Sequence, residues 1–95
     1  MTRHVFTLNA GSSSIKFALF AASDESLSVV SIGVVEMLTQ ERRITIRDGA
    51  GKTTHDEHWA VTGDVPFHTD ALHHILDWRR STFPDANVVA GHRPM

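Results

Sequence analysis

Val5-Phe6-Thr7-Leu8-Asn9-Ala10-Gly11-Ser12-Ser13-Ser14-Ile15-Lys16-Phe17-Ala18-Leu19-Phe20 is the stretch on which the reading of this chain turns. Two short β-branched and aromatic runs, Val5 to Leu8 and Ile15 to Phe20, flank a polar segment rich in glycine and serine. That pattern predicts two strands joined by a tight turn. Side chains alternate along a strand, so Phe6 and Leu8 share one face of the first strand, and Ile15, Phe17 and Leu19 share one face of the second. The opposite face then carries Val5, Thr7 and Asn9 on one strand and Ser14, Lys16 and Ala18 on the other. One side of the hairpin is apolar, the other polar or small.

Beyond a loop at 21–26, the β-rich run from Leu27 to Leu38 predicts a third strand, with a bulge or bend expected at Gly33. Arg43 to Arg47 alternates Ile44 and Ile46 with polar neighbours. Asp48-Gly49-Ala50-Gly51 supplies turn chemistry, and Lys52 to Trp59 returns as a second hairpin. Its thin apolar content suggests a solvated edge ribbon. After the break at Gly63 to Pro66 the period changes: Leu72, Ile75, Leu76 and Phe83 predict a helix over 69–83, capped by Thr69 or Asp70 and stopped at Pro84. Asn87-Val88-Val89-Ala90-Gly91 reads as a buried strand, and because it follows a helix it is expected to pair in parallel with an earlier strand. The fold class is therefore α/β: a mixed sheet of antiparallel hairpins plus one helix and one parallel strand.

Ninety-five residues make a single small domain, and 41% hydrophobic with 21% charged residues describe an ordinary globular chain, not a disordered one. Nine Lys and Arg against eleven Asp and Glu give a net charge of −2, which is no electrostatic footprint for nucleic acid. There is no cysteine, so disulfides, a thiolate nucleophile and sulfur-ligated zinc are excluded. No apolar stretch approaches the roughly 18 residues a membrane helix needs. Phe17 to Ala22 falls short of a signal-peptide core, so a cytoplasmic location is expected, with no membrane partner.

Two places carry chemistry. In the first, a turn opening with Gly11 can take a positive φ and gather backbone N–H groups into an anion nest. Three hydroxyls add donors, and Lys16 adds a compact positive charge suited to a phosphate. A plain Gly-Ser hairpin loop with an exposed lysine accounts for the same residues by composition alone. The second is Gly91-His92-Arg93, just past the predicted parallel strand. Ligands gather beyond the carboxyl ends of parallel strands, and Arg93 offers a planar fork for a carboxylate or phosphate. If the first and last strands are parallel neighbours, Asn9 and Arg93 converge.

Other motifs fall away. Gly51-Lys52-Thr53 lacks the earlier glycine and the strand-to-helix setting of a P-loop. His55 and His58 face opposite ways on a strand, and His73 and His74 diverge on a helix, so neither pair chelates easily and solvated histidines are expected. Arg79 and Arg80 suit the last turn of a helix without implying nucleic acid. Metal-dependent nuclease chemistry needs clustered carboxylates, and Asn9 stands where one would be useful.

The strand ending in Asn9-Ala-Gly-Ser-Ser-Ser-Ile-Lys-Phe17 resembles the N-terminal signature of acetate kinases, and Val88-Val89-Ala90-Gly91-His92-Arg93 resembles the start of their second signature. Asp70-Ala71-Leu72 in a helix after Pro66 is also similar to that family in kind and position. Sugar kinases, actins and heat-shock chaperones of the same superfamily usually have an Asp where Asn9 stands. The resemblance implies a ribonuclease H-like, actin-like ATPase fold and an ATP:acetate phosphotransferase, interconverting acetate and ATP with acetyl phosphate and ADP, using magnesium (Mg2+) and forming homodimers. It also implies site roles: Asn9 for the metal, Ser12, Ser14 and Lys16 for ATP and its phosphates, and Arg93 for the substrate. In the family the second signature continues past Arg93, whereas here Pro94-Met95 follow. Residues 1–95 are thus expected to form a truncated, partial N-terminal lobe with no second domain, no catalytic residue and no turnover on their own. A related propionate kinase, a non-catalytic ribonuclease H-like binding module and a decayed fragment remain open as alternatives.

Overall fold

The computed structural model describes residues 3–61, 63 and 65–83, together with the backbone of 87–90. Five strands follow one another as an antiparallel meander: β1 (Arg3–Ala10), β2 (Ser14–Ala22), β3 (Leu27–Met37), β4 (Glu41–Asp48) and β5 (Thr53–Ala60). Helix α1 (Phe67–Thr82) then crosses back, and β6 (Asn87–Ala90) adds to the far side of β1. The sheet order is β5-β4-β3-β2-β1-β6, with β6 parallel to β1 as its sequence position after a helix implied. The α/β class and the mixed sheet are as expected.

The alternation that predicted the hairpin also sets the core. Phe6, Ile15, Phe17 and Leu19 are buried on one face of the sheet, joined by Val35 from β3 and Ile44 and Ile46 from β4. Helix α1 covers this face with Phe67, Ala71 and Ile75. Spacings of four residues put these on one helical stripe, and Trp78 continues it, its ring 5.5 Å from that of Phe17. Of the apolar positions that predicted the helix, Ile75 is fully buried and Leu72 and Phe83 pack partly buried against the core; Phe67, before the predicted start, and Ala71 complete the buried stripe. The helix begins at Phe67 with Pro66 as its N-cap and no side-chain capping bond. Neither Thr69 nor Asp70 caps it. Asp70 is instead engaged by Arg42 and Trp59, as described below. The predicted stop, Pro84, lies outside the described residues.

Gly33 is not a bulge. The β2–β3 register runs unbroken through Phe17 opposite Gly33, and the irregularity falls between Leu19, paired with Ser31, and Phe20, paired with Val29, so Val30 is the extra residue. What Gly33 provides is room: a Cβ there would lie 2.2 Å from Cζ of Phe17. The glycine leaves space on the neighbouring strand for the far end of the Phe17 ring, which remains in the core.

The second hairpin closes as its composition suggested. Asp48 Oδ1 accepts the N–H groups of Ala50 and Lys52, each at 2.9 Å, and Gly51 takes a φ of +86°. This is a hairpin turn, not a phosphate loop. β5 is the sheet edge and only His55 and Trp59 are partly shielded, in keeping with a solvated ribbon. No helix of the described residues is long and apolar enough to cross a membrane.

Candidate functional site: the Asn9 to Lys16 hairpin

Asn9 and Lys16 face each other directly in the β1–β2 ladder. The cross-strand register puts both on the face of the sheet that α1 does not cover, and both are exposed. The connecting turn is short: the Gly11 N–H donates to the Ser14 carbonyl at 2.8 Å. Gly11 does not use a left-handed conformation. Among the described residues only Gly51 and Gly63 have positive φ, so the anion-nest geometry expected from a positive φ at Gly11 is absent. The turn is shaped by outside contacts instead. The Met37 N–H at the end of β3 donates to the Ser13 carbonyl at 3.0 Å, and His68 Nε2 lies 2.6 Å from the Gly11 carbonyl. Ser12 and Ser13 are exposed and Ser14 half-buried, and among the described residues the Ser12 and Ser13 amides donate no hydrogen bond.

Lys16 and Ser14 also border a broad groove of about 640 Å³ on the uncovered face, whose far wall is Arg43, Thr45 and Arg47 of β4. Its electrostatics are uneven. Arg43 is bound to Asp56 in a two-pronged pair, Nε to Oδ1 at 3.0 Å and a terminal nitrogen to Oδ2 at 2.8 Å. That hydrogen-bonded pairing raises the Arg43 pKa and lowers that of Asp56. Of the three cations lining the groove, Lys16 and Arg47 have no ion pair among the described residues, so they are left to attract an anion there, beside the Glu36 carboxylate.

β1 and β6 run parallel up to Leu8 opposite Ala90, so their backbones end at the same edge of the sheet, and Asn9 follows immediately on β1. Gly91, His92 and Arg93 lie outside the described residues, as does the expected convergence of Arg93 on Asn9. As for a metal, no cluster of three His, Cys, Asp or Glu side chains that could hold an ion occurs among the described residues. The donors at the hairpin are the Asn9 amide oxygen and serine hydroxyls. These hard oxygen ligands suit Mg2+ only when a nucleotide's phosphates and water complete the shell.

The Acetokinase family model matches residues 4–93, nearly the whole sequence and both stretches carrying the hairpin and the β6 run. The chain belongs to the acetokinase family. It is similar to the acetate kinase of Methylocella silvestris, 53% identical over 98% of this chain and 25% of that protein. It is also similar to the acetate kinase of Rhodopseudomonas palustris, 32% identical over 98% of this chain and 23% of that protein. For the acetate kinase of Treponema pallidum the figures are 32% identity over 88% of this chain and 16% of that protein. The chain thus spans about a quarter or less of the length of the curated relatives it matches.

Within this acetokinase chain, Asn9, Ser14 and Lys16 sit at one end of the β1–β2 hairpin, with Ser12 in its turn. Three further contacts were not read from the sequence. His68 reaches the turn from α1, and its only signal was its place two residues after Pro66, beside Asp70-Ala71-Leu72. Met37 holds the turn from β3 through its backbone, which no side-chain pattern announces. The third is a network: Arg42, buried in β4, pairs with Asp70 and donates to the Val65 carbonyl at 3.1 Å, while the Trp59 indole N–H donates to Asp70 at 2.9 Å. His74 stacks on Trp59 with ring centroids 3.8 Å apart while 40% of its side chain stays exposed, so it is packed on one side and solvated on the other. His55, opposite Ile46, and His58, opposite Arg43, do lie on opposite faces of β5.

Proposed function

We propose that this chain is the N-terminal part of an ATP:acetate phosphotransferase, a ribonuclease H-like lobe whose β1–β2 hairpin holds ATP phosphates during reversible formation of acetyl phosphate and ADP. The observation that supports it most is the cross-strand pairing of Asn9 with Lys16 beside a serine turn, in a chain 53% identical to an acetate kinase.

In the forward direction an acetate carboxylate oxygen attacks the γ-phosphorus, a new O–P bond forms, and the bond to the bridging oxygen breaks to leave ADP. Such transfers need little covalent participation by the protein. They depend on alignment and on donors that offset the spread-out negative charge. Lys16 contributes a point charge to phosphate oxygens, and the Ser12 and Ser14 hydroxyls donate to them. The Asn9 amide oxygen is a ligand for Mg2+, which when bound neutralises phosphate charge. Arg93 takes the role of clamping the acetate or acetyl phosphate carboxyl end. A cytoplasmic homodimer of full-length chains is part of the same reading.

Residues 1–95 alone supply binding groups but no catalytic residue, and we expect no turnover from them. The test is a hydroxamate assay of two proteins: residues 1–95 alone, and residues 1–95 joined to the remaining three quarters of the Methylocella silvestris acetate kinase. The first is expected to be inactive and the second to form acetyl hydroxamate dependent on ATP and Mg2+. An inactive but folded and nucleotide-competent hybrid defeats the proposal. Propionate offered beside acetate in the same assay separates the two acyl acceptors.

A further inference from the structure

We infer that His68 is a positioning residue for the turn at 11–14: its Nε2–H donates to the Gly11 carbonyl and so sets the direction of the Ser12 N–H. What that N–H meets rests on the phosphate reading above; the hydrogen bond and its consequence for the turn do not.

A carbonyl oxygen can only accept, so a ring nitrogen 2.6 Å away must carry a proton. The alternative tautomer, protonated on Nδ1, would set the Nε2 lone pair against the carbonyl lone pairs. His68 is therefore held as an Nε2–H donor. The peptide unit joining Gly11 to Ser12 is planar and trans, so its C=O and N–H point in opposite directions. Anchoring the Gly11 oxygen on the helix side of the turn aims the Ser12 N–H away from the helix.

That anchor matters at this peptide because Gly11 places no Cβ in the way of a rotation. Without it the Gly11–Ser12 unit can turn over, exchanging an N–H for a carbonyl oxygen at the surface an anion would approach. Two other carbonyls of the turn are already engaged: Ser13 accepts from Met37 at 3.0 Å and Ser14 accepts from Gly11 at 2.8 Å. His68 adds a third, drawing the Gly11 oxygen toward the helix, while the exposed Ser12 and Ser13 keep amides that donate no hydrogen bond among the described residues. Its own reach is fixed by its neighbour. Phe67 is buried, with the Arg42 guanidinium 5.5 Å above its ring, and it meets the His68 ring edge-on at 5.3 Å. The first turn of α1 is thereby locked to the core on one side and to the hairpin on the other.

Two measurements test this with His68→Phe, which keeps a flat ring and loses the donor, and His68→Gln, which keeps a donor. In ¹⁵N-labelled protein, long-range ring correlation is expected to find His68 protonated on Nε2. The Ser12 amide resonance is expected to move in H68F and stay near its place in H68Q. In the hybrid acetate kinase described above, H68F is expected to lower kcat/KM for MgATP about tenfold with KM for acetate unchanged, the scale of one lost hydrogen bond, while H68Q stays within about threefold. An unprotonated Nε2, an unmoved Ser12 amide in H68F, or H68Q as impaired as H68F overturns the inference. If the hybrid with His68 intact has no activity, the phosphotransfer reading falls, and the ring-nitrogen and Ser12 measurements decide the role of His68 by themselves.

Discussion

Arg42 and Asp70, 28 residues apart, form an ion pair in which only 5% of the arginine side chain and 22% of the aspartate side chain are exposed. The pair joins β4 to α1, and the same guanidinium holds the Val65 carbonyl just before the helix. Removing the carboxylate leaves a guanidinium charge inside the protein without its counter-ion. Asp70→Ala is therefore expected to lower stability by about 2–4 kcal/mol, toward the lower part of the range for breaking a buried pair because Asp70 keeps some solvent. Arg42→Met, which removes the charge and retains the packing volume, is expected to cost less. Urea unfolding of both variants orders them, and equal losses would show that packing around the arginine stem, not the charge, dominates.

Acid should weaken the same contact. Burial pushes the Asp70 pKa up, but the Trp59 N–H and Arg42 outweigh it and hold the carboxyl below its ordinary value. A group with a lowered folded pKa contributes its full stabilisation above the unfolded value, about 3.9 for aspartate, and loses it as pH falls below that through the folded value. The urea midpoint is expected to be insensitive to this pair from pH 7 to about 5 and to drop as pH falls below about 4, the unfolded-state value. In Asp70→Asn that acid-dependent component should shrink, and an unchanged pH profile would place the titrating group elsewhere.

Gly33→Ala brings a Cβ into the Phe17 ring, 2.2 Å from Cζ. Both partners are buried, so the ring must leave its rotamer or the strands must part, at an expected cost of about 1–3 kcal/mol. Phe17→Leu in the same background should recover part of that loss. A double-mutant cycle on thermal or urea unfolding measures the coupling, and strict additivity would mean the two positions do not meet.

Lys16 is exposed, so Lys16→Ala is expected to leave stability within about 0.5 kcal/mol. In the hybrid enzyme it should reduce kcat/KM for MgATP by about 10- to 100-fold, the scale of a charge-assisted bond to phosphate. Arg47→Ala, across the groove on β4, separates a general attraction of anions from a specific contact: it should have a smaller effect that fades with added salt.

The uncovered sheet face carries Ile32 half exposed between Lys16 and the β4 arginines. Residues 1–95 by themselves are expected to self-associate through this face, and Ile32→Lys to shift them toward monomer in size-exclusion chromatography. A compact monomer from the unaltered chain would show that the face tolerates water as it is.

Strand positions and faces were legible because they depend on neighbours one or two residues away. The alternation through Phe6, Leu8, Ile15, Phe17 and Leu19 placed the core side, and that of Asn9, Ser14 and Lys16 placed the polar side; Asp48 to Gly51 declared its hairpin. The start of α1 was missed because Phe67 is drawn into the helix by burial against the core and not by a capping residue. Gly33 was misread because a glycine in a strand signals either a bulge or a close approach, and only the ring across the ladder distinguishes them.

Local composition by itself determined an α/β chain with a serine-rich turn between two strands and a lysine beside it, since period-2 alternation and turn chemistry act over a few residues. How α1 lies across the sheet was decided only in three dimensions. That placement brings His68 to Gly11 across 57 residues and Asp70 to Arg42 across 28. These contacts form because the Phe67, Ala71 and Ile75 stripe buries itself on the sheet, and the polar groups flanking that stripe take the partners that burial leaves within reach.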